Sequence, residues 1–501
     1  MKVNMDEHEI LPTDDLTSEL SGEEIAEIKK KSVKGVVSFF ARTIILQGVG
    51  LVSAFILSAF LSPEDFGIFG IVTQIIALLV FFSDIGLAAA LIQKKAEPTE
   101  DDYKTAFTVQ LILAWTIFFI VLAIIKLGFL NVKIGNEGIL VLLALAISFP
   151  LATFKTIPSI ILERKLDFNK LVLPQIFEQV VFHSILIVMA WKGYGVASYF
   201  YAILFRSVIG LIVIQILQPW FPKIKIDRQS LKGLLSFGFK FQLNDFLARI
   251  KDQLYFLVLG AFLPLKDFGY MQWSKNWSMY PYNLTVQNVM SITFPTFSRL
   301  QNHKDLLKKA IEKSLYFISL FIFPILIGMS IFIYPLTELV DKYTKWQPAI
   351  FSFVLFSLSV AWSAISTPLI NSLNAIGKIN QTLKLMTMWT VLTWVLTPVL
   401  VWKFGFNGVA IAAFLISFTS IFSVFMTKKY VAIEVMRNIW PQLVASLFMA
   451  VFGFLGIKYW GLSYRNFFFG GFASFLLYAV VFFVLSKNRF LEEIKSLRKN
   501  L

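Results

Sequence analysis

The chain is a succession of apolar runs, each long enough to cross a bilayer and each closed by a short polar segment, and this pattern excludes most folds at once. A membrane-crossing helix needs about 20 mainly apolar residues. Only helices and closed barrels satisfy every backbone N–H and C=O in hydrocarbon, and the strands of a barrel are far shorter than these runs. Hydropathy and length place about 14 spans at 34–61, 65–91, 104–126, 138–162, 170–191, 195–217, 232–263, 267–298, 311–334, 349–374, 381–403, 406–427, 441–459 and 466–486. The expected fold is therefore all-α and polytopic.

Lys and Arg gather in the tails and in alternate loops: Lys94-Lys95, Arg164-Lys165, Lys223 with Lys225 and Arg228, Lys308-Lys309 and Lys428-Lys429. The side of a membrane rich in such residues is the cytoplasmic one, so both termini are expected there. The net charge of +15 is spread over short loops and not collected on one polar domain, so nucleic acid is not an expected partner. With no cysteine, the chain has neither a disulfide framework nor a thiolate metal site. The acidic N-terminus lacks the pattern of a signal peptide. Ser21-Gly22-Glu23-Glu24 has the form of a capping box that would open a short interfacial helix, the alternative being a solvated tail.

Self-similarity divides the chain. Lys34 to Phe39 (KGVVSF) is repeated at Lys232 to Phe237 (KGLLSF), and Leu61 to Gly67 (LSPEDFG) at Leu263 to Gly269 (LPLKDFG). Trp191-Lys192 with Gly195-Val196-Ala197 returns as Trp402-Lys403 with Gly408-Val409-Ala410. Three matches in one order indicate a duplicated unit. Six spans per unit make both copies enter from the same side, which relates two six-helix lobes by a pseudo-twofold axis along the membrane normal. The expected organisation is an N-terminal tail (1–33), two lobes (34–225 and 226–430), two additional helices (431–486) and a C-terminal tail (487–501), with the binding site in the cleft between lobes.

Charges inside spans are costly and mark function by default. The run from Lys232 to Leu263 carries Lys240, Asp245, Arg249, Lys251 and Asp252. At 100° per residue Asp245, Arg249 and Asp252 share a face, where the arginine is neutralised, whereas Lys240, Asn244 and Lys251 share another with no acid beside them. Over all spans, Arg42, Lys155, Arg206, Lys240, Arg249, Lys251 and Lys275 outnumber Asp84, Glu178, Asp245 and Asp252. An excess of cations in a wet chamber suits a phosphorylated or acidic substrate, and these seven are the candidate substrate-binding residues. Arg42 and Lys240 lie close enough to a span end to snorkel instead. Asp84, Asp245 and Glu178 are candidates for coupling to a proton or sodium ion, with a counter-ion role as the alternative. Glu178 and His183 could form a proton relay, although a lone histidine in such a helix is more often a packed one.

Enzyme signatures are missing from the sequence. It has no nucleotide-binding G-x-x-x-x-G-K-[ST] loop, only three histidines and no metal-ligand spacing. No catalytic residue, metal or cofactor is expected, and loops opposite the tails are short, the longest being Tyr334 to Trp346.

The block Leu61 to Lys95 followed by Thr105-Ala106-Phe107, together with Ile157 to Gln179, Lys192 to Val196 and Phe294 to Gln301, resembles the polysaccharide transporter family. These are the O-antigen, colanic acid and teichuronic acid type flippases of the multidrug/oligosaccharidyl-lipid/polysaccharide exporter superfamily. The resemblance implies two six-helix lobes plus two helices in a bacterial inner membrane, a cationic central cavity, and alternating access that moves an undecaprenyl-diphosphate-linked oligosaccharide to the outer leaflet. Polymerase and export machinery would be its partners. Two other readings stand beside it. A drug or cation antiporter of the same superfamily should have an acid-lined cavity and about twelve spans, and a membrane-embedded polymerase or assembly scaffold should have a sizeable outer loop.

Overall fold

The computed structural model describes residues 42–80, 83–94, 96–128, 131–235 and 255–499, all in helices, turns and short connections, with no strand among them. Lys240, Asn244, Asp245, Arg249, Lys251 and Asp252 lie outside the described residues, as does the 21–24 capping box. Within the described residues, 12 helices are long and apolar enough to span a membrane.

The first group comprises α1 (Arg42–Phe60), α2 (Pro63–Val80), the short α3 (Leu87–Gln93), α4 (Glu100–Lys126), α5 (Asn131–Arg164), α6 (Phe168–Trp191) and α7 (Ala197–Leu217). After a helical segment over 255–262, the second group comprises α8 (Leu265–Tyr282), a π-helical turn (Asn283–Gln287), α9 (Asn288–Arg299), α10 (Lys304–Leu339), a 3-10 segment (Asp341–Ala349), α11 (Ile350–Ala375), α12 (Ile379–Phe404), α13 (Asn407–Phe418) and α14 (Ile421–Lys428). The last two helices, α15 (Val435–Trp460) and α16 (Tyr464–Lys499), pack on each other and on α10. We call the end of the bundle that holds the α5–α6 and α14–α15 connections the tail end, and the opposite one the far end.

Where the expected spans fall on described residues, each contains helix, with several helices running six or more residues past the expected ends, and two expected spans are interrupted: 406–427 by the turn between α13 and α14, and 65–91 more sharply. The expected span 65–91 is broken: α2 ends at Val80, and α3 begins only at Leu87. Gly86 there takes φ 84°, a value that side chains rarely adopt. The Asp84 carboxylate accepts from the Leu87 N–H at 2.8 Å, so the break is built by a capping carboxylate and a left-handed glycine. Arg164 closes the other end of α3, donating from Nη1 to the carbonyls of Leu91, Ile92 and Lys94 at 2.9, 2.9 and 3.0 Å. The α4 start is a capping box between Thr99 and Asp102. The long α8–α9 rod carries Pro281, which supplies no N–H to the helix ladder, just ahead of its π-helical turn. Polar residues in α8 keep this segment below the hydropathy of the other spans.

The lobes meet most extensively along α2 and α8. A Cβ on Gly67 would overlap the Leu265 carbonyl, and one on Gly269 would overlap the Pro63 carbonyl. In the repeat register Gly67 matches Gly269 and Pro63 matches Leu265, so the two contacts exchange under the expected pseudo-twofold. Nearby, the 3-10 segment of the second lobe grips the end of α1. Trp346 Nε1–H donates to the Ser58 carbonyl at 2.7 Å, Trp273 Nε1–H to Ser58 Oγ at 2.9 Å and Lys345 Nζ to the Ala59 carbonyl at 3.0 Å. Tyr343 donates to the Phe55 carbonyl. Trp273 and Trp346 stack at 4.9 Å and 9° and are fully buried, an arrangement worth about 0.5–1.5 kcal/mol beyond the area it removes from solvent. Lys133 adds bonds to the carbonyls of Ala261 and Leu263 at 3.2 and 2.6 Å. The far end is thereby sealed between the lobes.

Candidate functional site

Three charges expected on separate grounds come together in the first lobe. Lys155 on α5 lies 2.5 Å from Glu178 Oε1 on α6, and Arg206 Nε on α7 lies 3.6 Å from Glu178 Oε2. Lys155 is nine residues inside the α5 end, Glu178 ten beyond the α6 start and Arg206 eleven inside the α7 end. At 1.5 Å per residue each sits about 13–17 Å from the tail end, which is the middle of a hydrocarbon core about 30 Å thick. Helix α7 admits the carboxylate by carrying glycine: a Cβ at Gly210, one turn beyond Arg206, would collide with Glu178.

The cluster has two cations and one anion. Glu178 is the most enclosed of the three, with 11% of its side chain exposed against 22% for Lys155 and 42% for Arg206. An ion placed in such surroundings costs several kcal/mol unless paired, so the glutamate anchors both bases and leaves a net positive site with Arg206 at its open side. Arg206 also lies over the Phe182 ring at 5.6 Å. His183, one residue on, bonds through Nδ1 to Ser53 Oγ of α1 at 2.7 Å. It thus ties α6 to α1, and Glu178 takes the two bases as its partners.

Lys275 goes to a different place. Its Nζ lies over the Phe256 ring at 3.4 Å, and it lines a cavity of about 480 Å³ whose described walls all come from the second lobe, residues 255–420. Arg42 opens α1 at the tail end, partly buried. Asp84, a candidate ion-coupling residue, is occupied as the cap of α3.

The sequence reading missed the mate of the first-lobe cluster. Glu178 precedes Trp191 by as many residues as Trp389 precedes Trp402, and Arg206 follows Gly195 by as many as Thr419 follows Gly408. Trp389 Nε1–H donates to Thr419 Oγ1 at 2.8 Å. An ion contact in one lobe is therefore replaced by a neutral hydrogen bond at the matching point of the other. The repeat register held the signal, but a search confined to charged residues passes over it.

Residues 56–351 match the model of a family described as "Polysaccharide biosynthesis protein". The succinoglycan biosynthesis transport protein ExoT of Rhizobium meliloti (strain 1021) is 21% identical over 287 residues, covering 56% of this chain and 57% of that protein. The lipopolysaccharide biosynthesis protein WzxC of Escherichia coli (strain K12) is 21% identical over 319 residues, covering 61% and 62%. The chain thus spans about three fifths of the length of these two relatives. Among solved structures, the lipid II flippase MurJ in an inward closed conformation superposes with a TM-score of 0.69 at 16% identity, covering 91% of this chain and 100% of that one. That likeness concerns the fold.

Proposed function

The chain belongs to the polysaccharide biosynthesis protein family, and on that premise we propose that it is a flippase for a lipid-linked oligosaccharide, working by alternating access in a bacterial cytoplasmic membrane. The observation that carries the reading is the net-positive group formed by Lys155, Glu178 and Arg206 at mid-membrane depth. A diphosphate crossing the bilayer needs charge-assisted donors where water is scarce. Arg206 and Lys155 supply them, and Glu178 holds them in place until the anion arrives. Undecaprenyl diphosphate is the carrier proposed, with its prenyl chain remaining in lipid. A cation antiporter calls for the opposite balance of charge.

The basic loops support a cytoplasmic position for the tail end. The far end, sealed by Trp346, Trp273 and the Gly67–Gly269 crossing, then faces outward, and the state described is closed to the outside. Release requires that seal to part while the tail end closes, a rigid-body rocking of one lobe on the other. Glu178 is also the proposed coupling group, since protonation would free both bases from it. The test uses cells lacking the protein and restored with Lys155→Met, Arg206→Met or wild type at equal membrane levels. Polymer export falls at least about tenfold in each variant while lipid-linked oligosaccharide accumulates. Unchanged export in both variants refutes the assignment.

A further inference from the structure

The second-lobe cavity has a chemistry of its own. Its described walls are the 255–262 segment, α8, α11, α12 and α13, and nine of the 22 described lining residues are serine or threonine. Most of those hydroxyl hydrogens are already committed to backbone carbonyls. Thr367 donates to Ser363 O at 2.8 Å, Ser363 to Ser359 O at 3.1 Å, Ser417 to Phe414 O at 2.6 Å and Ser359 to Ala413 O across the helices at 3.1 Å. Because Thr367 Oγ1 donates to Ser363, the 2.8 Å contact between it and the Tyr282 hydroxyl has the tyrosine as donor. A hydroxyl that has given its hydrogen away keeps acceptor lone pairs. The cavity therefore presents a wall of acceptors between aromatic faces: Trp389, Tyr282, Tyr255 and, under Lys275, Phe256.

Three ligand classes can be compared against that wall. A lone metal ion is far too small for about 480 Å³, and no group of three or more acidic or histidine side chains suited to a metal occurs among the described residues. A hydrocarbon chain would leave the acceptors unmet. It also has a better-matched groove elsewhere, about 570 Å³ between α10, α11, α14 and α15, where only Ser330 and Ser357 of 17 lining residues carry hydroxyls. A sugar brings many O–H donors for the acceptors and apolar C–H faces for the rings. The volume lies within the roughly 300–1,000 Å³ of small-ligand sites, which are mostly apolar with a few placed polar groups.

The repeat adds a second, independent argument. The Trp389–Thr419 bond stands at the point where the first lobe has Glu178 and Arg206, so charge has been replaced by an aromatic ring and a hydroxyl at the same place in the fold. We infer that the two lobes divide the substrate, the second-lobe cavity being a subsite for the sugars of the lipid-linked oligosaccharide whose diphosphate the first lobe takes. This rests on the flippase reading above.

The experiment uses the full chain in phospholipid nanodiscs with two probes: the oligosaccharide released by mild acid from the lipid-linked pool of cells lacking the protein, and undecaprenyl diphosphate without sugar. The variants are the near-isosteric pair Ser363→Ala with Thr367→Val, and separately Trp389→Leu, each checked for an unchanged melting temperature. A variant that fails this check is set aside, and the hydroxyl pair, which preserves shape, decides alone. The expected result is oligosaccharide binding weakened at least about tenfold, with undecaprenyl diphosphate changed by less than about twofold. Oligosaccharide affinity that stays within about twofold overturns the subsite, and so does an equal loss for both probes, which would give the cavity to the carrier lipid. Wild-type protein that binds undecaprenyl diphosphate but not the oligosaccharide overturns the subsite alone. Wild-type protein that binds neither removes the flippase reading with it.

Discussion

Gly67 and Gly269 stand at matching positions of the two repeats, and each faces a first-turn carbonyl of the other's helix with no room for a methyl group. At this crossing the lobes are thus in contact through backbone. The first prediction follows from it. Gly269→Ala forces α2 and α8 apart and costs the sealed state about 1–3 kcal/mol, the usual penalty of overpacking. The chain contains no cysteine, so one introduced at Ser62 is a clean reporter. Its thiol labelling from the far end should rise several-fold in the Gly269→Ala background. Equal labelling would show that the crossing does not hold the seal.

The first-lobe cluster makes a prediction about stability that is separate from transport. Glu178→Gln leaves two bases in the membrane interior without their counter-charge and should cost about 3–5 kcal/mol, because removing one partner of a buried pair strands the other. Lys155→Met combined with Glu178→Gln should cost less than the sum of the two single changes. Thermal unfolding of the four proteins in one detergent measures the coupling. Strict additivity would mean that the 2.5 Å contact contributes nothing to folding.

Arg164→Ala should loosen the C-terminal end of α3. Its guanidinium serves three carbonyls at the end of α3, and a hydrogen bond from a charged donor is worth about 1.5–3 kcal/mol. Faster hydrogen exchange across Leu87–Gln93, with exchange in α12 unchanged, is the expected signature. Arg164→Lys should recover only part of the protection, since an ammonium lacks the second nitrogen by which Nη2 reaches the Ala96 carbonyl at 3.4 Å.

The start of the second lobe should respond to acid. The Ser230 backbone N–H holds the Asp227 carboxyl below its ordinary value of 3.8. A native pKa below the unfolded one gives a contribution that is complete above that ordinary value and disappears as pH falls through the lower native value. Exchange protection at Ser230, followed downward from pH 6 after correction for intrinsic rates, should persist through the ordinary carboxylate value and drop only below it in wild type, and should be low throughout in Asp227→Ala, which has no side-chain acceptor for that N–H.

Much of this architecture could be read from the chain because bilayer thickness fixes helix length, and the apolar runs report it directly. Span ends at Trp191, Leu217 and Lys126 were legible for that reason. The break at Ser83–Gly86 was not, since apolar residues flank it on both sides and hide a four-residue turn in the average. In the site, Lys155, Glu178 and Arg206 each stood out as a charge where none is cheap. Their meeting was hidden, because it depends on how α5, α6 and α7 pack across one another. Trp389 was hidden for the opposite reason: a tryptophan in an apolar run attracts no notice until the repeat places it beside the glutamate.

The last two helices hold to α10, and α10 belongs to the second lobe. A pair moored on one side only must travel with the half it is moored to. If the lobes rock as proposed, the bilayer along that flank would be swept by a broad moving wall, whereas among the described residues no such pair covers the flank of the first lobe. Under the proposed function, lipid entering between the halves would then meet two unlike doorways, and a long-chained carrier would have a physical basis for preferring one of them.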